Sequence, residues 1–338
     1  MATKKPVRGR APLPGISSRA WEHPADKGAL VALRKLKGFD SVLKTFNALV
    51  NERQMRLVFL GSAVRADERQ FPELHRLLAD VGSVLDAGDL PELFVVADPT
   101  LGARTIGMAK PIIVVNSALV DLLDEDELRF VIGHELGHAL SGHAVYRTLL
   151  ERLIALTGVL AAVPGGALGV RVILAALMEW ARKSELSADR AGLLATQDPA
   201  VATRVHMKLA SGGHLDSLDV TSFMEQAAEY ADTEDLRDSV LKVLLTESRS
   251  HPFAVVRARE LRTWVESGAY TTILGGDYPR REDDDSATMS EAAQEAAASY
   301  GDAFRRTGDA LGRLVHDVAG FLGSAKTWLD DKLRRDPS

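Results

Sequence analysis

A chain of 338 residues, 46% hydrophobic and 26% charged, has the length and composition of a globular protein with a substantial core. Its formal charge of -6 gives no electrostatic reason to expect nucleic acid as a partner. With no cysteine, disulfides, thiolate nucleophiles and thiolate metal sites are excluded, so any metal must be held by imidazole nitrogens and carboxylate oxygens.

Residues 1–20 carry Lys4, Lys5, Arg8, Arg10 and Arg19 among Pro6, Pro12, Pro14 and Gly15, the pattern of a flexible basic arm. No apolar stretch follows these charges, so the segment does not read as a secretory signal, and a cytoplasmic location is expected. The main domain is expected over 21–275. It opens with a helical region from Pro24 whose apolar residues run through Leu30, Leu33 and Leu36 to Leu43 and Phe46. A second amphipathic stretch covers Phe71 to Leu85. The period then changes: Glu92–Val96 and Ile112–Val115 read as short buried strands, with Arg104–Met108 as a middle strand. The fold class expected is therefore α+β, mainly α, with a small sheet.

Asp124 is a good N-cap with Glu127 in the first turn behind it, so a helix should carry Leu128, Val131 and Ile132 on to His134 and His138. Further helix is expected to about residue 211, broken near Pro164-Gly165-Gly166. Leu153 to Val170 is free of charge for 18 residues, close to the ~20 a membrane span needs. The Pro-Gly-Gly interruption favours a hairpin of two short apolar helices, over about 150–178, above a span. More helices should fill 221–245 and 252–267. The acidic run Glu282-Asp283-Asp284-Asp285 marks a linker over 276–290. An amphipathic helical tail over 291–338 then places Phe304, Leu311, Val318 and Ala325 at heptad spacing. The hairpin and the tail are the two surfaces suited to peripheral membrane contact. Nothing in the sequence sets an oligomeric state.

The chemistry concentrates in His134-Glu135-Leu136-Gly137-His138. Residues four apart on a helix share a face, so both imidazoles can reach one metal ion. Glu135 is offset by about 100°, beside the position where a metal-activated water would sit, and can serve as its general base. Gly133 and Gly137 each cost a helix roughly 1 kcal/mol relative to alanine, so a close neighbour is expected, here a strand covering the helix. A catalytic zinc needs a third protein ligand. His143, five positions past His138, points well away from the metal-binding face. Glu185 and Asp189 are again four apart. Spacing alone leaves two readings of them: a third ligand with a carboxylate that orients an imidazole, or an exposed pair on an ordinary helix.

The first motif, followed by Arg182-Lys183-Ser184-Glu185-Leu186-Ser187-Ala188-Asp189 and then by Ser250-His251-Pro252 with Arg257 beyond, resembles the HtpX-like and CAAX prenyl endopeptidase superfamily of zinc metallopeptidases. The likeness covers roughly residues 70 to 265. It implies a zincin-like fold with the small sheet beside the active-site helix and one Zn2+ per chain held by His134, His138 and Glu185. It also implies Glu135 as base, Asp189 in support, and His251 facing the metal across the cleft as an oxyanion donor or resting-state ligand. Arg257 reads as a salt-bridge residue. The chain departs from many family members in lacking several clear membrane helices, which places it with the soluble or peripheral branch. It also has Gly102-Ala103-Arg104 where an Asn-Ala pair is common.

The function this implies is a zinc metalloendopeptidase acting on unfolded or damaged polypeptides, with the strand near 112–115 flanking the cleft and pairing with extended substrate. The competing reading is a noncatalytic chaperone-like or membrane-surface module on a metal-stabilised scaffold. An intact Glu135 speaks against it, because a structural site needs no base. His23, His75, His206, His214 and His316 are expected to be structural or solvated.

Overall fold

The computed structural model describes residues 9–49, 51–160, 167–232 and 254–305. It is mainly helical with one four-stranded sheet, as the sequence predicts. The expected first helix is two, α1 (Pro24–Arg34) and α2 (Phe39–Leu49), separated at Gly38, whose φ of 88° ends the helical path. A third helix, α3 (Glu52–Ser62), leads into β1 (Val64–Arg65), and α4 (Pro72–Val84) follows. The remaining strands are β2 (Glu92–Val96), β3 (Ala103–Ile106) and β4 (Ile112–Asn116).

The strand order is β1-β2-β4-β3, with β2 and β4 parallel and both outer pairings antiparallel. Side chains alternate between two covers, as the two-residue period of a strand requires. Leu93, Val95, Ile113 and Val115 enter the main core, while Phe94, Ile112 and Val114 meet Met55 and Phe59 of α3 on the other face. Register also corrects the expectation that the strand near 112–115 flanks the cleft. β4 is paired on both sides, so it offers no edge; β3, expected as a middle strand, is one of the two edge strands, and it lies against the motif helix.

That helix, α6 (Glu125–Leu140), follows the short α5 (Ser117–Leu122) and opens with a full capping box. The Asp124 side chain accepts from the Glu127 backbone N–H, and the Glu127 side chain accepts from that of Asp124. Ser141 and Gly142 then turn the chain into α7 (His143–Leu160). Next come α8 (Ala167–Thr196), α9 (Pro199–Ser211), α10 (Val220–Asp232), α11 (Ala254–Glu266), α12 (Ala269–Leu274) and a helix over 291–305. Residues 161–166, at the tip of the expected apolar hairpin, and the tail beyond 305 lie outside the described residues. Among the described residues no helix is long and apolar enough to cross a membrane.

The close neighbour demanded by Gly133 and Gly137 is a helix, not a strand. A Cβ on Gly133 would stand 2.5 Å from Ala195 Cβ, and one on Gly137 would stand 2.5 Å from Ala191 Cβ. Small residues on both helices let α6 and α8 approach until their backbones nearly touch, and this brings the α8 carboxylates under the α6 imidazoles. Helix propensity alone makes Gly137→Ala stabilising by about 1 kcal/mol. The contact with Ala191 reverses the sign, and overpacking should lower unfolding free energy by about 1–3 kcal/mol. Ala191→Gly in the same chain should recover most of that loss in a urea titration. A Gly137→Ala protein as stable as the parent would remove this account of the glycines.

Two segments, one read as a flexible arm and the other as a linker, are docked. From residue 9 the basic arm lies on the body: Leu13 and Ile16 join the main core, and Arg10 pairs with Asp126. Arg280 bridges to Ile16, while Asp284 accepts from Ser17 and Arg19, so the acidic linker is strapped to that arm. Leucine and isoleucine burial together with opposite charge accounts for both dockings.

Candidate metal centre

His134 and His138 project from α6 and Glu185 from α8, and all three are buried, with one ligand-type atom from each lying within 4.8 Å of the others. His134 Nε2 is 3.5 Å from Glu185 Oε2, and His138 Nε2 is 3.3 Å from Glu185 Oε1. The second nitrogen of each imidazole is engaged elsewhere. His134 Nδ1 donates to Asp189 Oδ1 at 3.0 Å, and His138 Nδ1 lies 2.9 Å from His143 Nδ1. Two imidazoles held by their outer nitrogens, with inner nitrogens converging on one carboxylate, form a donor set suited to a borderline cation such as zinc. Around them Glu135, Glu185 and Asp189 are buried near the guanidiniums of Arg147 and Arg257. With these three acids ionised and the imidazoles neutral, that leaves an excess of one negative charge, which favours a cation.

Burial opposes a charge on His134, but its bonds to Asp189 and Glu185 outweigh it and push the imidazole up to about 9. A metal ion entering the site must displace that proton. His138 is driven the other way by burial and by Arg147, which leaves it neutral. Asp189 is held well below the usual carboxylate range: burial resists its charge, but Arg257 overcomes this with Nε at 2.7 Å from Oδ2.

Glu135 lies beside the ligand pair and is only 2% exposed, and that burial raises its pKa. Thr105 of β3 places its hydroxyl 2.7 Å from Glu135 Oε2 and 2.8 Å from the Glu135 carbonyl oxygen. One hydroxyl proton cannot serve both oxygens. When Glu135 is protonated both contacts are satisfied, since Oε2–H donates to Thr105 and Thr105 donates to the carbonyl. The carboxyl is therefore built to carry a proton as well as to take one.

The structure thus brings His134, Glu135, His138, Glu185 and Asp189 together, and the exposed-pair reading of Glu185 and Asp189 does not hold, because both are buried. Arg257 is the salt-bridge residue expected, reaching Glu185 at 3.2 Å as well as Asp189. His251 lies outside the described residues. His206 is fully buried with Nε2 3.7 Å from Asp189 Oδ2, and burial lowers its pKa to about 4. The expectation that His143 points away is wrong. It assumed a continuing helix, whereas α6 ends at Leu140 and Gly142, at φ 70°, turns the chain back so that His143 returns to His138. The glycine was the available signal. Arg147, one helical turn further along α7, bonds Glu185 Oε1 and lies 3.2 Å from His138 Nε2.

A buried carboxylate next to a two-imidazole, one-carboxylate cluster, with a strand edge alongside, is an arrangement suited to metal-assisted hydrolysis. Comparison with known proteins makes the class specific. Peptidase family M48 matches residues 68–265, and the chain belongs to that family. It is 35% identical over 260 residues to the plastoglobule-localized metallopeptidase 48, chloroplastic, of Arabidopsis thaliana, covering 75% of this chain and 74% of that protein. It is 28% identical over 156 residues to the protease HtpX of Xanthomonas axonopodis pv. citri, covering 45% of this chain and 52% of that one. No solved structure matches the chain. The chain is accordingly a peptidase of the HtpX-like kind, with polypeptides as its substrates.

Proposed function

We propose that this chain is a zinc-dependent endopeptidase that cleaves unfolded or damaged polypeptides in protein quality control, with His134, His138 and Glu185 holding one Zn2+ and Glu135 acting as general base. The observation that carries the reading is the convergence of these three buried ligand groups beside Glu135. Bound there, the metal would act as a Lewis acid on the scissile carbonyl and lower the pKa of a water molecule.

The chain's own residues supply the rest. Asp189 keeps the His134 proton on Nδ1, leaving Nε2 free as a donor. Glu135 accepts the proton of the attacking water and returns it to the leaving amine, a task favoured by a carboxyl whose pKa burial has raised. Thr105 hydrogen-bonds that carboxyl to β3, which places the base beside the strand edge. An extended substrate adding to β3 would be held by backbone hydrogen bonds, which tolerate many sequences, and this supports unfolded chains as substrates. His251 is proposed to face the same cleft and donate to the developing oxyanion.

Purified protein should carry about one zinc per chain by elemental analysis, in keeping with a mononuclear catalytic site. It should cleave casein, lose that activity to a chelator and regain it with added zinc. A folded protein that takes up no stoichiometric metal would rule the reading out.

A further inference from the structure

His138 must present Nε2 as a lone pair to bind a metal, and an isolated imidazole does not choose which nitrogen carries its proton. The surroundings of the ring make that choice. Nε2 lies 3.2 Å from Arg147, which can only donate, and 3.3 Å from Glu185 Oε1, which already accepts from Arg147, so this side admits Nε2 as an acceptor and the outer nitrogen decides. A proton on Nδ1 has His143 Nδ1 as its partner at 2.9 Å. His143 can accept there only if its own proton is on Nε2, and Nε2 lies 3.1 Å from Asp26 Oδ2. Asp26 is in turn fixed by donors: Trp180 Nε1–H reaches Oδ1 at 2.9 Å and Ser187 O–H reaches Oδ2 at 2.6 Å. The His23 backbone N–H donates to Ser187 Oγ at 2.9 Å, which turns the serine proton toward Asp26. Every donor in the series thus has one acceptor, in one direction, and the His138 proton sits on Nδ1. Asp26 and His143 are buried, so water does not compete for these bonds.

We propose that His143 and Asp26 are positioning residues of the metal centre: they hold His138 in the tautomer whose Nε2 can bind the metal. Asp26 lies on α1, outside the 68–265 match to the family, so the N-terminal segment becomes part of the peptidase site. On α6 the two metal-facing imidazoles are then oriented by different means, His134 by a carboxylate directly and His138 by a carboxylate acting through a second imidazole. The inference rests on the metal-centre reading above, and its test includes a measurement that needs no metal.

In chelator-treated protein, long-range 15N–1H correlation spectra should show His138 as the Nδ1–H form. In His143→Leu, which keeps bulk but removes the acceptor, that form should give way to a mixture or to Nε2–H. His143→Asn places an amide oxygen near the former Nδ1 and should restore it. Zinc titration should follow the same order. His143→Leu should bind about 10- to 100-fold more weakly than the parent, the usual effect of losing such a partner, and His143→Asn should lie near the parent. Asp26→Asn, which offers one oxygen to three donors, should weaken zinc in the same direction as His143→Leu. The proposal is overturned if His138 is Nε2–H in the parent, if His143→Leu binds zinc as the parent does, or if Asn and Leu at 143 are equally weak, which would mean bulk and shape alone. Unchanged zinc affinity in Asp26→Asn would remove α1 from the relay. A parent with the expected tautomer but no zinc affinity would instead overturn the metal-centre reading, leaving the hydrogen-bond order standing.

Discussion

Glu135→Gln is expected to keep about one zinc per chain and to lose cleavage of unfolded substrate by roughly 10²- to 10⁴-fold, the range that general acid–base groups contribute. The substitution is nearly isosteric and leaves the three ligand groups untouched. An amide oxygen can still accept from Thr105, so the tie to β3 should persist. What is lost is the ability to take a proton from water and hand it to the leaving amine. Metal content must be measured on the same preparation, because a protein that has shed its zinc would be inactive for a different reason. A variant that holds zinc and retains more than about a tenth of the parent activity would show that Glu135 is not the base, and Thr105, the nearest other hydroxyl, would need a new role.

Much of this arrangement could be read from local pattern. Short continuous apolar runs mark Glu92–Val96 and Ile112–Val115 as buried strands, and Asp124 with Glu127 announces the start of α6, because both signals depend only on residues a few positions apart. His134 and His138 share a face for the same reason. The third ligand was harder: Glu185 is brought to the imidazoles by the packing of Gly133 and Gly137 on Ala195 and Ala191, and only the later motif singled it out.

What could not be read is what depends on distant pairing. Sheet order is not written along the chain, so β4 was taken for the cleft strand when β3 has the edge. Nothing near Asp26 marks it as a partner of His143, more than a hundred residues away. Helix α3 escaped notice because Leu57, Val58 and Leu60 are exposed while Met55 and Phe59 are buried, which blurs its apolar stripe. The arm from residue 9 looks solvated by composition, yet it is docked by the burial of Leu13 and Ile16 and by polar contacts such as Arg10 with Asp126, whose partners lie far along the chain.

Arg257→Met is expected to lower unfolding free energy by about 3–5 kcal/mol near pH 8, the range for removing one member of a buried ion pair and leaving the other uncompensated. Arg257 reaches both Asp189 and Glu185 from α11, and the side chains of Arg257 and Asp189 are 7% and 1% exposed, so solvent screens neither. Methionine roughly matches the aliphatic stem, which leaves charge as the main loss. The pH dependence separates this from simple packing. In the parent, Asp189 titrates below its unfolded value of about 4, so its contribution is complete above that pH and is lost as pH falls toward the folded value. Without Arg257, burial drives the Asp189 pKa upward, and protonation at lower pH relieves the stranded charge. The deficit of the variant should therefore be smaller at pH 5 than at pH 8, measured by urea unfolding of chelator-treated protein so that metal binding adds nothing. A deficit below about 1 kcal/mol, or one independent of pH, would mean that His134 and His206 suffice to hold Asp189 ionised. Orientation of His134 would then depend on α6 and α8 alone, and the docking of α11 would not be needed to set the metal-facing nitrogen.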